Sequence, residues 1–167
     1  MMMSPAASLS AIPIEHRYFE DYVVGALVDC GTIDVEEAEV LAFGRRFDPQ
    51  PFHSDPDAAA KGPFGGLIAS GWHTASLMMR LFVQRYISSV ASLGSPGASE
   101  LAWPRPVQPG DVLRVVISVI EARRSRSKPD RGLVRSCIEV FNQRNELVMR
   151  MNVINMLSCR DGGSPLS

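Results

Sequence analysis

Long apolar runs are missing from this chain of 167 residues. None approaches the roughly 18 residues that a bilayer-spanning helix requires. Excess charge of either sign is missing too: 17 Lys+Arg stand against 18 Asp+Glu, a net charge of −1. That balance excludes a strongly basic nucleic-acid binder and an acidic, solvated, disordered chain. Cysteine is scarce. Cys30, Cys137 and Cys159 are odd in number, widely spaced and form no CxxC pair. This excludes a disulfide framework and a thiolate metal site, and it points to free thiols in a reducing cytoplasm. No Lys or Arg precedes Arg17, so the opening residues lack the charged start of a signal peptide and the arginines of a transit peptide. No GxGxxG follows a strand pattern, and no His/Cys cluster is visible, so no nicotinamide, flavin or metal is expected.

The 46% hydrophobic and 21% charged residues suit one soluble domain. Residues 1–15 read as a flexible tail, 16–160 as the domain and 161–167 as a second tail. Leu27–Ile33 is a predicted strand. Asp34 and Glu37 then have capping-box spacing for a helix carrying Val35, Ala38, Leu41 and Ala42 on one face, which Pro49 and Pro51 end before Asp48. Residues 48–53 are expected to be extended or turned. Asp55 and Pro56 sit as N-cap and N1 of a short helix that stops near Gly62. From Gly71 to about Val90 runs the longest predicted helix, with Ala75, Met78, Met79, Phe82 and Val83 on one face, broadened by Leu77 and Leu81. It reads as deeply buried. The remainder is β: 99–103, 112–120, 132–141 and 147–157, with a hairpin turn at 142–145 and an exposed basic loop over 121–131. One long helix against an antiparallel sheet is an α+β layer architecture.

Chemistry concentrates in residues 48–53. Asp48 and His53 lie five residues apart across two prolines, which stiffen the loop. A stiff loop can aim a carboxylate and an imidazole into one cavity, as water activation requires. An ordinary Asp-Pro turn with a packed histidine explains the same residues. Downstream, Ser-Gly-Trp-His opens the long helix. The first N–H groups of a helix lack internal partners, and Gly71 allows a substrate oxygen close approach. The three glycines 65, 66 and 71 equally suit plain helix-on-sheet packing.

Together, FDPQPFHSDPDAAAKGPFGGLIASGWHTASLMMRL (residues 47–81) resembles the MaoC-like dehydratases, a family that includes (R)-specific enoyl-CoA hydratases. The family motif Asp-x-Asn-Pro-x-His is matched by Asp48-Pro49-Gln50-Pro51-Phe52-His53. Phe64 and Leu67–Gly71 match its turn and helix start, and residues 100–115 match its strand and Pro-Gly-Asp turn. The resemblance spans roughly residues 18–157.

The resemblance implies a hot-dog fold, a curved antiparallel sheet wrapped around one long helix, and a homodimer joined edge to edge. It implies hydration of a trans-2-enoyl-CoA or dehydration of a 3-hydroxyacyl-CoA, with coenzyme A arriving as part of the substrate and no other cofactor. Asp48 and His53 would be the catalytic dyad, and Gly71 the backbone oxyanion donor. Gln50 stands where the family has Asn, and Ser70 where it often has His. With Phe64 and Trp72 these are expected to meet the substrate. The basic run Arg123, Arg124, Arg126, Lys128 and Arg131 is either a solvated loop or a phosphate site for coenzyme A, with Arg126 and Lys128 the candidates. His73 is expected to be structural, and Met78 and Met79 either core or tunnel wall. Two alternatives stay open. A thioesterase would want a carboxylate on the central helix, and residues 71–90 contain no Asp or Glu. A non-catalytic acyl-CoA binder would not need the dyad.

Overall fold

The computed structural model describes residues 8–162. Five strands form one antiparallel sheet: β1 (Leu27–Asp34), β2 (Gly97–Ala102), β3 (Val112–Arg124), β4 (Arg131–Phe141) and β5 (Leu147–Ser158), in the order β1-β3-β4-β5-β2. Between β1 and β2 lie four helices: α1 (Glu37–Phe47), α2 (Pro51–Ser54), α3 (Pro56–Lys61) and α4 (Gly71–Arg85). The register shifts in β1, β2, β3 and at the start of the β4–β5 pairing. Such bulges bend a strand and increase its twist, and they let the sheet curve around α4.

Alternation in β3 and β4 turns Leu113, Val115, Ile117, Val119, Ile138 and Val140 inward, and all are buried. From α4 they meet Leu77, Met78, Leu81 and Phe82, also buried. Burying such side chains contributes roughly 1.5–3 kcal/mol each. The sheet reaches one side of α4 only. Met79 and Val83, expected on the buried face, are 41% and 53% exposed, so the buried stripe is rotated and the helix is not covered all round.

Four other expectations are corrected. First, α1 begins after Glu36, with no side-chain cap. Asp34 belongs to β1, where it pairs with Val112, so it is not free to form the capping box with Glu37. The buried residues of α1 are Val40 and Gly44; Val35 is buried ahead of the helix, while Ala38 and Ala42 are exposed. Second, α4 stops at Arg85, because Arg17 reaches its end: one guanidinium nitrogen donates to the Arg85 and Tyr86 carbonyls at 2.9 and 2.7 Å. A cation there satisfies orphan carbonyls and suits the helix dipole. Third, part of the expected tail over 1–15 is structured, from Leu9 onward. Leu9–Ala11 and Ile14–His16 form 3₁₀ turns, and Leu9 joins the core at 2% exposure. Residues 1–7 and 163–167 lie outside the described residues. Fourth, β3 continues to Arg124, paired residue by residue with β4, so the basic loop shrinks to 125–130. The 142–145 turn joins β4 to β5 as predicted; the Asn142 side chain accepts from the Arg144 and Glu146 N–H groups.

Candidate active site

Two prolines bring Asp48 and His53 together by doing different work. Pro49 keeps Asp48 out of the helical region, at φ −146°, ψ 69°. Pro51 occupies N1 of α2, where its missing N–H costs nothing. The segment 48–53 is therefore not extended throughout: its last three residues open a helical turn. That turn brings the His53 ring back over Asp48, with Nε2 3.3 Å from Oδ2. Asp55 caps α3 as predicted, accepting from the Asp57 and Ala58 N–H groups.

Both partners are held from behind. His53 is 5% exposed, and its Nδ1 lies 2.7 Å from the Ile68 carbonyl. A carbonyl only accepts, so Nδ1 carries a proton, and Nε2 is the ring nitrogen that faces Asp48. The Ile68 N–H in turn donates to the Phe52 carbonyl at 2.9 Å. Ile68 thus clasps α2 at the Phe52 carbonyl and at the His53 ring. A Cβ at Gly44 would overlap the His53 carbonyl, so only glycine lets α1 lie this close to α2.

Asp48 receives two side-chain donors: Gln50 Nε2 to Oδ1 at 2.8 Å and Ser70 Oγ to Oδ2 at 2.7 Å. Burial opposes its charge and is the largest single influence, but the Gln50 and Ser70 hydrogen bonds and the His53 ring together hold its carboxyl below the usual range. Ser70 is also the N-cap of α4, accepting from the Trp72 N–H at 3.3 Å.

His53 and Gly71 line one cavity of about 410 Å³. Phe52, Phe64, Ile68 and Val107 make its apolar walls, and Thr74 borders it from α4. Gly71 is the first residue of α4, so its N–H has no partner within the helix. Trp103 closes the wall there: a Cβ on Gly71 would stand 2.5 Å from its indole.

Of the nine residues singled out from the sequence, His53, Gly71 and Phe64 line the cavity. Asp48 reaches it through His53. Gln50 and Ser70 are not on the cavity wall; they hold Asp48. Trp72 is 60% exposed and off the wall. It packs edge-on against Trp103, ring centroids 5.2 Å apart, and Trp103 takes the lining place expected of it. Arg126 and Lys128 lie in the loop between β3 and β4. The cavity segment 103–107 leads into the other end of β3, some 12 residues away, roughly 40 Å at strand rise. Within one chain they do not reach the site. His73 is buried and stacked on Phe43 at 5.1 Å, and Met78 is core. Gly44, the Ile68 carbonyl, Thr74 and Trp103 escaped the sequence reading. The sequence shows Trp103 only as the end of the 99–103 strand, within the 100–115 stretch that matches the family's strand and Pro-Gly-Asp turn.

Among the described residues no group of three or more His, Cys, Asp or Glu is placed to hold a metal ion, and no helix is long and apolar enough to cross a membrane.

Comparison with known proteins bears on the family and the fold. A 3-hydroxyacyl-thioester dehydratase Z of Mycobacterium tuberculosis is 33% identical over 113 residues, 67% of this chain and 74% of that protein. The crystal structure of a MaoC-like dehydratase from Rhodospirillum rubrum is 41% identical, covers 86% of this chain and 98% of its own, and superposes with a TM-score of 0.80. A Mycobacterium tuberculosis protein with a double hot-dog fold matches at 18% identity, covering 93% of this chain and 48% of its own, with a TM-score of 0.78; at that identity it speaks to the fold alone, and the sheet around α4 is a hot-dog fold. The model of the MaoC-like domain matches residues 23–138, and the chain belongs to the MaoC-like dehydratase family.

Proposed function

We propose that this protein is a hydro-lyase that adds water to a trans-2-enoyl-CoA, or removes it from the 3-hydroxyacyl-CoA, with Asp48 and His53 as its acid–base pair. The observation that carries this reading is the His53 ring. It is held through Nδ1 by the Ile68 carbonyl, lies 3.3 Å from a carboxylate, and opens onto an apolar cavity. The named activity of the 3-hydroxyacyl-thioester dehydratase and the family supports the same chemistry.

In the hydration direction, a water held between His53 Nε2 and the Asp48 carboxylate attacks C3 of the enoyl group. His53 takes the water's proton as the C–O bond forms. The C2–C3 π electrons move to the thioester oxygen as an enolate. The Gly71 N–H at the start of α4 donates to that oxygen, where the helix end also favours negative charge. A proton from the dyad then returns to C2 on the same face. One water is consumed, no redox partner is needed, and the dyad ends as it began. Such proton handling contributes typically 10²–10⁴-fold.

The protein pairs with a second copy through the edge of β2, which lies at the end of the sheet and is largely exposed. Three buried free thiols favour a reducing, cytoplasmic setting.

The test is loss of the ultraviolet absorbance of the conjugated thioester, with a panel of trans-2-enoyl-CoAs and with Asp48→Asn and His53→Ala beside the wild type. Wild-type hydration to a 3-hydroxyacyl product, lost in both variants, is the expected result. Release of free thiol instead would make the protein a thioesterase. Saturable binding with no turnover across the panel would make it a binder.

A further inference from the structure

Arg105 stands apart from the rest of the cavity lining. Its neighbours there are almost all apolar, yet it is an arginine with a side chain 58% exposed. The prolines at 104 and 106 fix φ on either side of it, so its Cα is held in place while the long side chain remains movable. Among the described residues its one ion pair is with Glu146 Oε1, at 3.8 Å. That is long beside the 2.7–2.9 Å typical of a charge-assisted bond. Glu146 is served better elsewhere: Asn142 and Arg144 donate to its Oε2 at 2.8 and 3.0 Å. Arg105 thus carries a loosely engaged, solvent-exposed guanidinium on a cavity that His53 also lines.

We propose that Arg105 is a specificity-determining residue that binds an anionic group of the substrate at the entrance of this cavity. The proposal rests on the acyl-thioester reading above and names the chemistry recognised: an oxyanion, taken by a planar fork of N–H donors. Two sources of that anion are distinguishable. One is the phosphate of the coenzyme A carrier. The other is a carboxylate at the far end of the acyl chain. In both cases the anion displaces Glu146, which keeps its Asn142 and Arg144 bonds.

Binding decides it without relying on turnover. Equilibrium affinities of the wild type, Arg105→Gln and Arg105→Lys are measured for butyryl-CoA, succinyl-CoA and butyryl-pantetheine, the last carrying neither phosphate nor carboxylate. A charge-assisted hydrogen bond at this site gives a loss of roughly 10- to 100-fold. Arg105→Gln is expected to weaken an anionic ligand by that factor and leave butyryl-pantetheine unchanged, with Arg105→Lys recovering part of the loss. Equal losses for both CoA esters assign the phosphate; a loss confined to succinyl-CoA assigns the acyl carboxylate. An equal change on all three ligands, no change on any, or no binding by the wild type overturns the proposal. Normal ligand discrimination without enoyl hydration would instead overturn the hydro-lyase reading and leave this one standing.

Discussion

Ser70 Oγ donates to Asp48 Oδ2 at 2.7 Å while the same oxygen accepts from the Trp72 N–H at 3.3 Å. One hydroxyl therefore ties the start of the central helix to the carboxylate of the dyad. The helix cannot shift at its N-terminus without moving Asp48, and Gly71 moves with it. The placement of Asp48 relative to the first N–H groups of α4 is coupled through this side chain.

Ser70→Ala tests this. Removing the cap costs about 1 kcal/mol of stability. Losing a hydrogen bond to a charged group is worth roughly 1.5–3 kcal/mol, so kcat/KM falls by 10-fold or more. The carboxyl of Asp48 also rises toward the ordinary value, because one of the donors that favour its charged form is gone. A group depressed in the folded state contributes stability above its unfolded value and loses it as the pH falls through the folded one. The acid-side stability contribution of Asp48 is therefore smaller in the variant. A carboxyl-carbon NMR titration reads the shift directly, and an unmoved Asp48 would sever the link.

Much of this arrangement was legible because it is local. Apolar, β-branched richness located β3, partial period-two alternation located β4 and β5, and Asp55-Pro56 announced α3 through a cap complete within three residues. What escaped depends on contacts distant in sequence. Pro51 read as a breaker, yet at N1 it begins the turn that carries His53. The buried face of α4 is set by which side the sheet covers, and apolar residues nearly all round a helix do not reveal that. Trp103 and Trp72 have the same side chain, and only packing over Gly71, 32 residues from Trp103, decides which one lines the cavity. The start of α1 moved for the same reason: pairing with Val112 draws Asp34 into the sheet.

The two tryptophans give a clean contrast. Trp103→Ala removes a wall of the cavity beside Gly71, and kcat/KM drops by about tenfold or more, as expected for an aromatic ring that packs against bound substrate. Trp72→Ala removes an exposed ring off the wall and leaves kcat/KM within about threefold. Steady-state kinetics on the preferred enoyl thioester measures both. Equal losses would mean that Trp72 reaches the substrate.

His73 predicts a pH dependence of stability distinct from catalysis. Its burial disfavours the imidazolium and, against a smaller opposing pull from Glu39, lowers its pKa from 6.5. The contribution of the neutral ring is fully present above that value and is lost as the pH falls below it toward the folded value. Urea midpoints at about pH 7.5 and about pH 5.5, on either side of the ordinary imidazole value, should separate in the wild type. His73→Phe keeps the stack on Phe43 and should narrow that separation. If the two proteins lose stability in parallel, His73 does not carry the effect.

Gly44→Ala sets two magnitudes against each other. In an open helix interior the change gains about 1 kcal/mol. Here the added methyl overlaps the His53 carbonyl, which is backbone and cannot swing aside. Overpacking of this kind costs roughly 1–3 kcal/mol, so the net effect on stability is small or unfavourable. The effect on activity is not small. Relief of the overlap pushes α2 away from α1, and His53 travels with it, off Asp48 and away from the cavity. A displacement of about 1 Å costs on the order of 10²-fold in rate. The expected variant is folded, with a melting temperature close to that of the wild type, and has lost most of its kcat while its affinity for a saturated acyl-CoA is retained. A variant with wild-type kcat would show that α2 is not held in place by its contact with α1, and that the Ile68 clasp alone positions the ring.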